Sequence, residues 1–146
     1  MKELPKELPI EPLKRELSIE AATDNLDTVL DFINSALEEG GCPVKLQTKI
    51  NVAVEELFVN IAHYAYKNEI GKTTIRVAVG SEVIIEFEDE GMPYNPLEKD
   101  DPDIKAAAGD REIGGMGIFM VKKIMDTVEY RHEDGKNIAV IRKTIT

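Results

Sequence analysis

The chain has one cysteine, Cys42, in 146 residues. A single thiol closes no internal disulfide and builds no cysteine-based metal cage. No apolar run approaches the roughly 20 residues of a membrane span. The opening stretch, MKELPKELPIEPLKREL, is charged and dotted with prolines, which is not the pattern of a secretory signal. The expected compartment is therefore the cytoplasm. Basic residues are also scarce, with 18 Lys and Arg against 28 Asp and Glu and a formal net charge of -10. DNA, RNA and acidic membranes are bound through clustered Lys and Arg, so neither direct nucleic-acid binding nor membrane binding is expected. A nucleotide ligand remains open, because a few backbone amides, one lysine and a Mg²⁺ can neutralise phosphates locally. Otherwise an acidic excess of this kind serves solubility.

What is present is an ordinary globular composition, 42% hydrophobic and 32% charged, at a length that suits one domain spanning 1–146. Pro5, Pro9 and Pro12 mark residues 1–12 as an extended arm. LKRELSI (13–19) alternates like an edge strand. Thr23 or Asp24 is placed to cap a helix running to about Glu39, with Leu26, Val29, Leu30, Ile33 and Leu37 on its buried face. Gly40-Gly41 ends it, and Pro43 opens a second helix that reaches about Asn68 and is closed by Gly71. TTIRVAVG (73–80) and EVIIEFED (82–89) form a hairpin about Gly80-Ser81. Residues 90–113 read as a long loop, a helix over 115–126 follows, and a closing hairpin turns at Asp134-Gly135. This order predicts an α+β fold, a two-layer sandwich with helices on one face of a mostly antiparallel sheet.

REIGGMGIFMVKKIMD (111–126) sets Gly114, Gly115 and Gly117 directly before Ile118, Val121, Ile124 and Met125, which recur at helical spacing. Each glycine disfavours a helix by about 1 kcal/mol. The stretch is either a loop-to-helix junction or a phosphate seat, since glycines admit an anion to the backbone and helix N-terminal amides point at it. It is neither a P-loop nor a dinucleotide fingerprint, because the Walker lysine and its Ser/Thr partner are missing. On the second helix, Ile50, Val54, Leu57 and Ile61 form a core stripe, and Glu56, Asn60, His63 and Lys67 form a separate polar one. That polar stripe is either a solvated face or a pair aimed into a pocket. In a pocket, the Asn60 amide oxygen suits Mg²⁺ and the Glu56 carboxylate can deprotonate a nucleophile. In EDEGMPYNP (88–96), Asp89 is either a turn residue or an acceptor for the exocyclic amine of adenine. Gly91 would then remove a side chain that blocks a flat base.

Taken in order, EELFVNIAHYAYK (55–67), EDEGMPYNP (88–96) and GGMGIFMVKKIMD (114–126) resemble the N-box and the two glycine boxes of the GHKL (Bergerat-fold) ATPase superfamily. The likeness extends over nearly the whole chain and is closest to the stand-alone anti-sigma-factor serine kinases. It implies ATP and Mg²⁺ bound against the helices, under a hinged lid at about 96–113. Glu56 would act on a seryl hydroxyl, Asn60 on Mg²⁺ and Asp89 on adenine. Gly91 and Tyr94 would border the base, with Gly114, Gly115, Met116, Gly117 and Ile118 at the phosphates and Arg111 near them. The implied partners are a STAS-type anti-anti-sigma protein and a sigma factor, with a homodimer through the first strand and helix.

Three positions depart from the family pattern. The histidine is His63, one residue before the family's usual place, which holds Tyr64. An arginine that some members carry before the glycines is Ile113 here, with Arg111 two residues earlier. A threonine near the start of the last strand is replaced near Asn137 or Ile138. A nucleotide-gated binding module without kinase activity is therefore the alternative, favoured by Ile113. A detached histidine-kinase catalytic domain is a third reading, disfavoured because no long dimerisation helix precedes the domain. His132 is expected at the surface. Met116, Met120 and Met125, like Tyr64 and Tyr66, are expected to pack.

Overall fold

Alternating burial identifies the sheet: Thr73, Ile75, Val77 and Val79 are buried, as are Val83, Ile85, Phe87 and Asp89. A computed structural model describes residues 12–66, 70–98 and 113–145. The arm up to residue 11, residues 99–112 of the expected lid (about 96–113) with Arg111, and Lys67 lie outside the described residues. The strands are β1 (Leu13–Glu20), β2 (Lys72–Val79), β3 (Glu82–Asp89), β4 (Thr127–Glu133) and β5 (Lys136–Thr144). Their order is β1-β2-β3-β5-β4, and every described ladder is antiparallel. The register sets Thr73 opposite Asp89 and Asp89 opposite Asn137, so three polar residues share one end of an otherwise apolar inner face.

Three helices cover that face: α1 (Leu26–Glu39), α2 (Val44–Asn60) and α3 (Ile113–Ile124). α1 buries Val29, Ile33, Ala36 and Leu37 as its spacing predicts. Its start differs from expectation. A 3₁₀ turn, Thr23–Asn25, precedes it, and neither Thr23 nor Asp24 caps it. Asn25 occupies the cap position but donates its amide to the Glu20 carbonyl at 3.0 Å, tying the turn back to β1. Pro43 is the N-cap of α2, so the helix begins at Val44, one residue after the predicted start. α2 also stops sooner than predicted: after Asn60 the backbone widens into a π turn over Ile61–Ala65. The Ala65 carbonyl then accepts from Met92 N at 2.9 Å, so a tertiary bond takes the place of continued helix, and Gly71 ends none. α3 begins two residues earlier than predicted and winds the glycines into its first turns.

Phe58, Leu57, Val54 and Ile50 of α2 are the centre of the core, with Phe87, Ile85 and Ile75 beneath them and Val121 of α3 beside them. Met125 packs there as expected, whereas Met120 on the outer side of α3 is 40% exposed and does not. The helix-free face of the sheet carries Arg76, which reaches Glu16, Glu86 and Glu88 at 2.7, 2.7 and 3.0 Å. Such half-exposed pairs contribute little stability each. No helix among the described residues is long and apolar enough to cross a membrane.

Phe58 has no solvent exposure, so truncation leaves a cavity that its rigid neighbours cannot fill. Phe58→Ala should lower the unfolding free energy by about 3–5 kcal/mol. Met120→Ala should stay within about 0.5 kcal/mol of the parent. Urea denaturation of both variants checks the pair.

Candidate functional site

The polar row of the inner face lies below the end of α2, and a small cavity separates the two. Leu57, Asn60 and Ile61 close it from the helix side, Asp89, Asn137 and Ala139 from the sheet, and Tyr94, Pro96 and Tyr130 from the rim. Its volume is about 30 Å³, room for roughly one water. A purine therefore enters only if part of the wall moves. The wall supplied by the segment after β3 includes Tyr94, whose ring stacks on Tyr64 with centroids 4.9 Å apart and planes 16° from parallel. Tyr64 thus packs, as expected, against a rim residue of the site.

Asp89 is 5% exposed. Its Oδ1 accepts from Asn137 Nδ2 at 2.9 Å and from Gly91 N at 2.9 Å. Burial pushes its carboxyl above the usual range, and these two donors pull the other way. Among the described residues nothing donates to Oδ2, which leaves one acceptor for a ligand. Gly91 does not clear space for a base, as the sequence suggested. A Cβ there would lie 2.3 Å from the Ala65 carbonyl oxygen, so its missing side chain lets the segment after β3 close onto the end of α2. Tyr66 braces the same junction, donating to the Lys72 carbonyl at 2.7 Å and accepting from Glu90 N at 2.9 Å.

Asn60 is buried on the cavity wall, and its Nδ2 donates to the Glu56 carbonyl one turn back at 2.9 Å. That bond fixes the amide and leaves Oδ1 without a hydrogen bond among the described residues. A lone hard oxygen of this kind fits Mg²⁺, which keeps most of its waters and takes only one or two protein ligands. No group of three or more His, Cys, Asp or Glu stands ready for a metal among the described residues.

Glu56 and Asn60 do not share the cavity. The half-buried Glu56 turns toward α3, where a Cβ built on Gly117 would be 2.1 Å from its Oε2. Gly117 therefore makes the slot that Glu56 occupies. Burial pushes the Glu56 carboxyl up, and the charge of Glu55 adds to the rise. The glycine box lies within α3 and not in a loop before it. α3 starts at Ile113, so the four amides that its own ladder leaves unsatisfied are those of Ile113, Gly114, Gly115 and Met116. Ile118 is buried at 2% exposure and packs in the core. His63 is exposed and stands edge-on to Tyr64, and His132 is exposed on β4. Asn137 and Tyr130 are the site residues that the sequence reading did not assign. The available signal was a polar residue opening an apolar run, NIAVI (137–141), which means something only once the register with Asp89 is known.

The sequence profile of the histidine kinase-like ATPase domain family matches residues 19–143. An anti-sigma F factor of Clostridium acetobutylicum is 28% identical over 131 residues, which cover 89% of this chain and 92% of that protein. An anti-sigma F factor of Thermoanaerobacter is 32% identical over 92 residues, 62% of this chain and 64% of that one. A serine-protein kinase RsbW of Bacillus mycoides is 24% identical over 103 residues, 64% of this chain and 61% of that one. Among solved structures, the RsbU and RsbW domains of a Mycobacterium tuberculosis protein superpose with a TM-score of 0.63 at 17% identity. The match covers 90% of this chain and 32% of that longer one, and it bears on the fold alone.

The Gly117 slot yields a separable expectation. In Gly117→Ala the closest atoms to the new methyl are the flexible carboxylate end of Glu56, and alanine favours the helix by up to about 1 kcal/mol. Stability should hold or rise slightly, while the displaced carboxylate moves toward water and titrates closer to the ordinary range. Urea unfolding and a carbon-detected NMR titration of Glu56 read the two effects. An unshifted titration would remove the slot assignment.

Proposed function

The chain belongs to the histidine kinase-like ATPase domain family, and we propose that it is an anti-sigma-factor-type protein serine kinase. In this reading it uses Mg·ATP to phosphorylate a STAS-type anti-anti-sigma protein and sequesters a sigma factor. The observation that carries the reading is the pairing of Asn60 and Asp89 across one cavity, with Glu56 one helical turn away beside the glycine box. The names of its relatives, anti-sigma F factor and serine-protein kinase, support the same class.

Each residue has one task. Asp89 Oδ2 accepts the exocyclic amine of adenine. Tyr94 borders the base. The outward amides of α3, from Ile113 to Met116, face the phosphates, with Gly117 behind them and Arg111 assigned to the same region by its place in the box. Asn60 Oδ1 would hold Mg²⁺, which when bound neutralises phosphate charge. Glu56 takes the proton of the seryl hydroxyl. Phosphoryl transfer rests mainly on positioning and charge neutralisation, so this small set is sufficient. The cell compartment in this reading is the cytoplasm, the whole chain is one domain, residues about 96–113 form the lid, and two copies meet through β1 and α1. Among the described residues β1 is the edge of the sheet, which supports such a contact. Ile113, in place of an arginine, is the one feature favouring a nucleotide-gated module that transfers nothing.

The deciding experiment is incubation with γ-labelled ATP, Mg²⁺ and STAS-type proteins, followed by mapping of the labelled residue. Tight ATP binding with no labelled serine would select the gated module. Glu56→Gln should lower single-turnover transfer by roughly 10²–10⁴-fold with little change in ATP affinity. The base works ionised and its carboxyl is pushed up, so the wild-type rate should fall with acid at a pH above the ordinary carboxylate value of about 4.3. Glu55→Gln should keep the neutral-pH rate and move that acid limb down, because it removes one cause of the rise. Equal rates for wild type and Glu56→Gln would remove the base assignment.

A separate calorimetric measurement addresses the metal. ATP affinity should drop in EDTA, and Asn60→Ala should abolish most of the difference between EDTA and Mg²⁺. Equal wild-type affinity under both conditions would count against Asn60 as the metal ligand.

A further inference from the structure

Asn137 is 5% exposed and directs every polar atom of its side chain into the site. Its Nδ2 donates to Asp89 Oδ1 at 2.9 Å, to the Met92 carbonyl at 2.9 Å and to the Gly91 carbonyl at 3.3 Å. Its Oδ1 accepts from the Tyr130 hydroxyl and from Tyr94 N at 3.3 Å. One residue of β5 thus joins the buried carboxylate, the segment after β3 and the hairpin strand β4.

We propose that Asn137 is the positioning residue of the base site, which holds Asp89 by Oδ1 so that Oδ2 faces the 6-amino group of an adenine nucleotide. The inference rests on the nucleotide reading above and goes beyond it, because it assigns base selectivity to a residue that need not touch the base. The strand around Asn137 is apolar from Ile138 to Ile141, so a packing role alone would be filled more cheaply by another apolar side chain. A buried amide is costly unless its groups are bonded. Here the bonds are spent on Asp89 and on the wall that must yield to a purine. Two donors on one oxygen also stop the carboxylate from rotating. Without Asn137, Oδ1 keeps only Gly91 N, the carboxylate turns freely, and burial raises its carboxyl further with less to oppose it. A protonated acid is a poor acceptor for an amine.

The test compares calorimetric affinities of the full chain for ATP and for purine riboside triphosphate, which lacks only the 6-amino group. Wild type should favour ATP by about tenfold or more, the worth of a charge-assisted hydrogen bond. Asn137→Leu, which keeps the volume and removes both donor and acceptor, should bring the ratio to within about twofold of one. Tyr130→Phe removes only the hydroxyl seated on Asn137 Oδ1 and should lower the ratio by a smaller factor. A purely structural role would weaken both nucleotides together and leave the ratio unchanged, and that result would overturn the inference while leaving the nucleotide site standing. A wild-type ratio near one would overturn Asp89 as the base reader and this inference with it. If Asn137→Leu does not fold, Tyr130→Phe decides: a lowered ratio supports the inference and an unchanged one overturns it.

Discussion

Asp89 is an almost sealed carboxylate, and a charge in that position must be met by donors or take up a proton. Both of its donors come at a structural cost. Gly91 N reaches it only because the chain turns tightly after β3, and that turn is held by Met92 N on the Ala65 carbonyl. Ala65 offers its carbonyl there because α2 gives way to a π turn instead of continuing as helix. Asn137 reaches it only through the antiparallel register of β3 and β5. A shift of one residue in that register would point Asn137 at the helix-free face and Ile138 at the carboxylate. The end of α2, the turn after β3 and the central ladder are thus fixed jointly by one buried charge.

α2 links this end of the sheet to α3. Its apolar stripe, Ile50, Val54 and Leu57, anchors it in the core, which leaves its orientation no freedom. The polar stripe is then delivered with the precision of the core packing. Asn60 meets the cavity, and Glu56, one turn earlier, meets α3. The two residues share a helix face yet meet different neighbours, because a rise of about 6 Å over four residues separates the cavity from the place where a second helix crosses. Gly117 is what allows the crossing to be close enough for Glu56 to lie between the helices.

Period-2 and period-3.6 patterns made the elements and their order legible, and the spacing of three boxes singled out Glu56, Asn60 and Asp89 as candidates. What escaped the sequence was tertiary in origin. The π turn depends on a carbonyl captured by a residue 27 positions later, Met92 on Ala65. The early start of α3 sets glycine's local reluctance against the burial of Ile118 and Val121 on the same helix, and burial prevails. Gly91 was singled out, but a sequence does not say which side of a glycine is crowded, and the crowding seen here comes from Ala65. Asn137 was noticed only as a departure from a family threonine. Its partners become visible only when β5 is laid beside β3.

The size of the cavity bears on where selectivity can arise. At about 30 Å³ it admits no base unless part of its wall moves, and Tyr94, stacked on Tyr64, is one part of that wall. The stacked contact with Tyr64 is worth about 0.5–1.5 kcal/mol beyond its burial, so breaking it lowers affinity by roughly tenfold at most. The same ring can stack again on a purine and offset that loss, but every purine offers such a face. If nucleotides bind here, opening the wall would set how tightly they bind as a class. In the proposed reading, choice among them would fall to Asp89 Oδ2, whose direction would depend on the amide that holds its partner oxygen.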